Sequence, residues 1–196
     1  MPQPKEGHKE LIIAHVALGS NVTSSSGSPK ITLQEVKTAV SCDSVDVVAE
    51  SRFYQSPAFP ANSGPDYVNA AITVATSLSA EALLAHLHDV EARFDRVREV
   101  RWAARTLDLD LLDYGGLIRP DADAVTHWMQ LPLDRQLKDT PEQLILPHPR
   151  IQDRAFVLIP LADIVPDWVH PITSQTLQSL LSALPQAEKD AICPLN

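Results

Sequence analysis

Leu107, Leu109 and Leu111 alternate with Asp108 and Asp110. Side chains alternate across a strand, so this pattern predicts a strand with three leucines on one face and two carboxylates on the other. Apolar stretches predict further strands over 11–18, 45–54 and 67–76; in the second, Val45, Val47 and Ala49 alternate against Asp46, Val48 and Glu50. Helical spacing takes over elsewhere. Ile31, Leu33, Val36 and Val40 follow Ser28 as N-cap and Pro29 at the first helical position, and Leu83, Leu87, Val90 and Phe94 follow Ser79 as N-cap. A helix is predicted over 154–164, with Pro160 forcing a kink or a late start, and a last one over 174–184, capped by Ser174 or Thr173. Residues 144–146 suit a short strand, residues 1–10 form a polar tail, and the Ser/Gly-rich stretch 23–28 is a loop. The order strand, helix, strand, strand, helix, strand, then helices predicts an α+β, ferredoxin-like sandwich. Its mainly antiparallel sheet has helices packed on one face and the other face open to a ligand.

Composition narrows the function. The chain has 196 residues, 44% of them hydrophobic, as expected of one globular domain over 1–196. A net charge of −9 argues against a surface that coats nucleic acid, and no apolar run approaches the ~20 residues of a membrane span. The first ten residues carry no apolar signal core. Cys42 and Cys193 are far apart in the chain and are expected to be reduced thiols of a cytoplasmic protein.

The positive charge is segregated. Arg93, Arg96, Arg98, Arg101 and Arg105 crowd into the segment just before the aspartate strand. Arginine forks pair with phosphate oxygens, and a carboxylate pair ~7 Å apart along a strand suits the hard cations that bridge such oxygens. Each feature alone reads more simply as a solvated charged surface; together, as Arg-x-x-Asp-x-Asp on a leucine-alternating strand, they point to phosphoryl chemistry. No Walker A loop, kinase glycine loop or Ser-His-Asp set is present.

Five segments then carry a resemblance. Ala17-Leu18-Gly19-Ser20-Asn21, Ser51-Arg52-Phe53-Tyr54-Gln55-Ser56-Pro57, Pro65-Asp66-Tyr67-Val68-Asn69-Ala70-Ala71, Arg105-Thr106-Leu107-Asp108-Leu109-Asp110, and Pro147-His148 with Arg154-Ala155-Phe156 resemble, in order, the 6-hydroxymethyl-7,8-dihydropterin pyrophosphokinases of folate biosynthesis. The resemblance implies the ferredoxin-like fold and a magnesium-dependent transfer of pyrophosphate from ATP to the pterin, releasing AMP. It implies two Mg2+ ions held by Asp108 and Asp110, with Arg96 and Arg105 as the catalytic phosphate clamp. For ATP it implies Leu84, His88, Glu91, Arg98, Trp102, Leu111, Ile145, His148 and Arg154. For the pterin it implies stacking on Tyr67 and Phe156, hydrogen bonding by Asn69, and a rim of Ser56, Pro57 and Phe59. The expected partners are ATP and 6-hydroxymethyl-7,8-dihydropterin, with no nucleic acid, no membrane and a monomeric state. Ala104 stands where the family often has proline, and Gln143 where some members have arginine. Residues 117–143 read as an insertion relative to compact members. The rival reading is a non-catalytic ferredoxin-like module that binds a nucleotide or RNA on its open sheet face. It would want a basic surface and stacking aromatics on adjacent central strands.

Overall fold

The computed structural model describes residues 10–58, 64–95, 105–132, 135 and 138–195. Its sheet is antiparallel. β1 (Ile12–Ser20) pairs along its whole length with β4 (Tyr67–Thr76), Ile12 opposite Thr76 and Ser20 opposite Val68. β5 (Asp108–Tyr114) flanks β1 as an edge strand. β2 (Val45–Glu50) and β3 (Tyr54–Ser56) follow one another along the far side of β4, and the two-residue β6 (Cys193–Pro194) pairs with β3. The sequence pattern predicts one strand over 45–54, but the structure splits it. Val48 bulges out of register between Val47 and Ala49 and is half exposed, and the Ser51 hydroxyl takes the Ala71 N–H at 2.8 Å. A side chain thus replaces a ladder bond where the strand would have continued.

Leu107, Leu109 and Leu111 are buried on the face that also carries Ala14, Val16, Leu18, Ala70, Ile72 and Val74. Helices α1 (Pro29–Val40) and α2 (Ala80–Arg93) cover this face, as the pattern predicts. Ser79 caps α2 by accepting the Ala82 N–H at 3.2 Å, whereas Ser28 makes no side-chain cap at α1. On α1, Ile31 is 44% exposed and Thr32 is buried in its stead, because the Thr32 hydroxyl bonds Ser24 at 2.7 Å. A satisfied hydroxyl can be buried where an unsatisfied one cannot.

The opposite face divides in two. Ala71 and Leu112 pack under a second core formed with Ala155, Val157, Leu158 and Leu161 of a C-terminal helix and with Leu177 and Leu180 beyond it. The remainder, toward the ends of β1, β4 and β5 that carry Gly19, Asn69 and Asp108, stays open as a cleft.

Helix α3 (Ala122–Met129) lies within 117–143 and has no counterpart in the sequence reading. Residues 144–146 form a single bridge, Arg119 with Leu146, in place of a strand. The helix predicted over 154–164 is α4 (Ala155–Ile164), with Pro160 inside it. The last long helix starts late. Ser174 has a positive φ of 55°, so α5 (Leu177–Ala183) begins only after Thr176, whose hydroxyl accepts the Ser179 N–H at 3.2 Å. α6 (Gln186–Asp190) and β6 were not predicted. Among the described residues no helix is long and apolar enough to cross a membrane.

Candidate active site

Three strands set the floor of the cleft. Gly19 lies opposite Asn69 on one side and Asp108 on the other. A Cβ built on Gly19 would stand 3.7 Å from Tyr67, 3.7 Å from the Asn69 amide oxygen and 3.8 Å from Asp108. Glycine therefore keeps open the gap between the aromatic side of the cleft and the carboxylates. In the sequence Gly19 stands out only as part of the Ala17–Asn21 segment that carries the resemblance; the cross-strand register shows its role.

Asp108 and Asp110 share the cleft face, while Leu109 between them is 2% exposed in the core below. Arg105 Nη1 pairs with Asp108 Oδ2 at 2.5 Å, and Arg154 Nη1 lies 3.6 Å from Asp110 Oδ2. Burial pushes the Arg105 guanidinium down, but Asp108 and then Asp110 outweigh it, and its pKa is raised. Arg105 is fixed from behind as well. Its N–H donates to Asn21 Oδ1 at 2.7 Å, its carbonyl accepts the Asn21 N–H at 3.0 Å, and the Asn21 amide reaches Pro65 O at 3.1 Å. Asn21 thus positions Arg105, a role the sequence reading missed; its place in the Ala17–Asn21 segment, just past the end of β1, was the available signal.

His148 lines the same cleft. Its Nδ1 accepts the Arg150 N–H at 3.1 Å, and burial, then Arg154, pushes its pKa down to about 3. The ring is therefore neutral, and with Nδ1 accepting, its proton sits on Nε2. It offers one donor to an anion without adding charge. Phe156 lines the cleft with the Arg154 guanidinium 5.7 Å from its ring centroid. Asn69 donates its amide nitrogen to Ser56 Oγ at 2.8 Å, which fixes the carboxamide plane.

These groups line one cavity of about 760 Å3, within the ~300–1,000 Å3 range of small-molecule sites. Ser56, Pro57, Tyr67 and Asn69 stand at the β3–β4 side. Arg105, Asp108, Asp110, His148, Arg154 and Phe156 lie within the same cavity, and Leu84, His88, Leu111 and Ile145 bring in α2 and the outer edge of β5. Trp128, Arg150 and Asp153 also line it and were not foreseen. Glu91 does not line it. This residue is 1% exposed, and its Oε1 accepts the Leu109 N–H at 2.7 Å, under the strand and between the two aspartates. Phe59, Arg96, Arg98, Trp102 and Ala104 lie outside the described residues.

Asp108 and Asp110 suit magnesium. The cation binds through one or two carboxylates and completes its shell with phosphate oxygens and water, and here both carboxylates already draw cationic side chains into the cleft. No group of three or more His, Cys, Asp or Glu among the described residues forms a ready protein cage.

Residues 15–166 match the family described as 7,8-dihydro-6-hydroxymethylpterin-pyrophosphokinase. Relatives named 2-amino-4-hydroxy-6-hydroxymethyldihydropteridine pyrophosphokinase include one from Synechocystis, 38% identical over 77% of this chain and 65% of its own length. Another, from Haemophilus influenzae, is 35% identical over 87% of this chain and 92% of its own length. The fold is also that of the Plasmodium falciparum HPPK-DHPS wild-type structure with STZ-DHP, at a TM-score of 0.61 and 14% identity over 88% of this chain and 43% of that one. The chain thus spans about two thirds of the Synechocystis relative and less than half of the Plasmodium protein. With the family's sequence match across β1 to α4 and a cleft that gathers carboxylates, arginines and the aromatic rings of Tyr67 and Phe156, this chain belongs to the 7,8-dihydro-6-hydroxymethylpterin-pyrophosphokinase family.

Proposed function

We propose that this chain, as a single monomeric domain in the cytoplasm, transfers the pyrophosphoryl group of ATP to the hydroxymethyl oxygen of 6-hydroxymethyl-7,8-dihydropterin in folate biosynthesis, releasing AMP. The observation that carries the reading is Gly19, flanked by Asn69 and Tyr67 on one side and Asp108 on the other. It sets a flat-ring pocket directly against a carboxylate pair, with no intervening wall. The family membership disfavours the non-catalytic module.

Tyr67 and Phe156 supply apolar faces for a planar heterocycle, and Asn69, held by Ser56, presents its amide to the ring edge. Ser56 and Pro57, which line the cavity, would form the rim, and Phe59 is assigned to it by family resemblance. Asp108 and Asp110 would hold two magnesium ions, which when bound supply Lewis-acid stabilisation of the triphosphate charge. Arg105 and Arg154 lie beside those carboxylates, within reach of phosphate oxygens that a bound cation would bring there. Arg105 then opposes charge that develops as the hydroxyl attacks the β-phosphorus in line, and neutral His148 donates one hydrogen bond to the same oxygens. Leu84, His88, Leu111 and Ile145 receive the rest of the nucleotide. Arg96, Arg98 and Trp102 are assigned to the phosphate side by family resemblance.

The test is chemical. Protein, ATP, magnesium and the reduced pterin together should produce AMP, and omission of pterin or magnesium should stop it. Asp110→Ala should lose turnover by orders of magnitude with its unfolding transition intact, since a half-exposed carboxylate contributes little stability. Near-normal AMP formation by that variant overturns the metal assignment.

A further inference from the structure

Residues 117–143 leave the chain just beyond β5 and return at Ile145 and Leu146. Arg119 and Leu146 close the base of the excursion with two backbone hydrogen bonds, of 2.8 and 3.1 Å. The returning chain is pinned to the outer edge of β5, where His148 N–H donates to Leu112 O at 2.8 Å. Helix α3, carried by the excursion, is held at both ends and from below. Asp121 accepts the Ala124 N–H at 2.8 Å, Val125 is fully buried, and the Arg150 guanidinium donates to Met129 O at 3.3 Å. One ring leaves this packed helix for the cleft. Trp128 is half-buried and lines both the main cavity and an adjoining recess of about 420 Å3. Ala124, Pro141, Glu142, Gln143 and Ile145 complete the recess.

Sheet order decides what this wall faces. The strands run β5, β1, β4, β3, so the Tyr67–Asn69 pocket lies at the β4–β3 end and the carboxylates lie on β5. A triphosphate lying over Asp108 and Asp110, with its terminal end toward the pterin, sends its nucleoside past the outer edge of β5. The excursion stands there. We propose that Trp128 is a purine-stacking residue, supplied by the 117–143 excursion, and that it closes the base end of the nucleotide pocket against Ile145. This rests on the pyrophosphokinase reading for the direction in which ATP lies. An indole offers a flat apolar face to a base, and buried Ile145 gives the apolar partner. Exposed Glu142 and Gln143 border the recess with acceptors suited to an exocyclic amine.

Base stacking on an aromatic side chain corresponds to roughly 5- to 150-fold in affinity. Calorimetry with a non-hydrolysable ATP analogue and, separately, with inorganic triphosphate should be run with magnesium on the full chain, Trp128→Ala and Trp128→Phe. Trp128→Ala should lose analogue affinity within that span, Trp128→Phe should restore most of it, and triphosphate affinity should stay equal in all three. Unchanged analogue affinity in Trp128→Ala overturns the assignment. So does an equal loss for analogue and triphosphate, which would make Trp128 a support of the phosphate site or of the fold. Failure of the pyrophosphokinase reading shows elsewhere, as absence of pterin-dependent AMP from the unaltered chain.

Discussion

Glu91→Leu removes the acceptor that holds the carboxylate strand from beneath. Among the described residues no strand pairs with the outer side of β5, and the Leu109 N–H finds its acceptor in Glu91 Oε1 at 2.7 Å. Leu109 sits between Asp108 and Asp110, so this contact joins the pairing with β1 in holding the backbone from which both carboxylates project. Glu91 is 1% exposed and Leu109 2% exposed, so water cannot take over as acceptor. Leucine keeps most of the volume, which leaves the unpaired N–H as the main loss, about 1–3 kcal/mol. With a urea m-value of about 2 kcal/mol/M, a mid-range loss lowers the unfolding midpoint by ~1 M. Glu91→Gln keeps an acceptor oxygen and should stay within ~1 kcal/mol of the unaltered protein. Turnover adds a second readout. The magnesium concentration for half-maximal AMP formation should rise several-fold in Glu91→Leu and little in Glu91→Gln. Urea unfolding and a magnesium titration on both variants make the test. If Glu91→Leu unfolds where the unaltered protein does, the strut is not one. If both variants keep their stability but lose ATP affinity, Glu91 is the nucleotide contact that the family resemblance implies.

Arg105→Ala should slow single-turnover AMP formation at least ~100-fold, because each ~1.4 kcal/mol is tenfold and a hydrogen bond to a charged group is worth ~1.5–3 kcal/mol or more in a closed site. ATP affinity should change less than about tenfold; the reverse pattern makes Arg105 a simple binding residue. His15 is 5% exposed and bonded to Thr73 Oγ1 at 3.2 Å, and burial lowers its pKa from 6.5 to about 4. The unfolded chain takes up this proton first, so the contribution of neutral His15 is whole above pH 6.5 and fades as pH falls toward 4. Its cross-strand neighbour Asp113 is raised by burial and pulls the other way, so the comparison must be between variants. His15→Leu should reduce the acid loss of stability over that range by ~3 kcal/mol, read from urea midpoints; identical pH slopes remove His15 from the account.

The legible parts of the molecule are those where one physical signal acts alone. Leu107 to Leu111 alternate because one face meets a core and the other a cleft, and Leu83, Leu87, Val90 and Phe94 repeat because α2 buries one stripe. Asp108, Asp110, Asn69 and Tyr67 were named as candidate residues and gather in one cavity because short-range alternation and strand pairing place them there. The errors fall where a side chain competes with the backbone. Ser51 interrupts a strand by taking Ala71's N–H, and Thr32 displaces Ile31 from the core because Ser24 satisfies it. Glu91 was legible as a helix residue near the apolar stripe, but its partner, the backbone of Leu109, has no sequence signature. Trp128 stayed hidden for a related reason. α3 buries only Val125 among its residues, so no apolar period announces the helix.

The central claim is that one pyrophosphoryl unit moves intact across the Gly19 gap, from a nucleotide over Asp108 and Asp110 to a pterin against Tyr67. ATP labelled at the β-phosphorus, mixed with the protein, magnesium and reduced pterin, tests it most directly when the products are separated after a single turnover. The expected result is that the β-label leaves with the pterin and the AMP is unlabelled. Label retained in ADP, or transfer of the γ-phosphoryl group alone, would contradict the account.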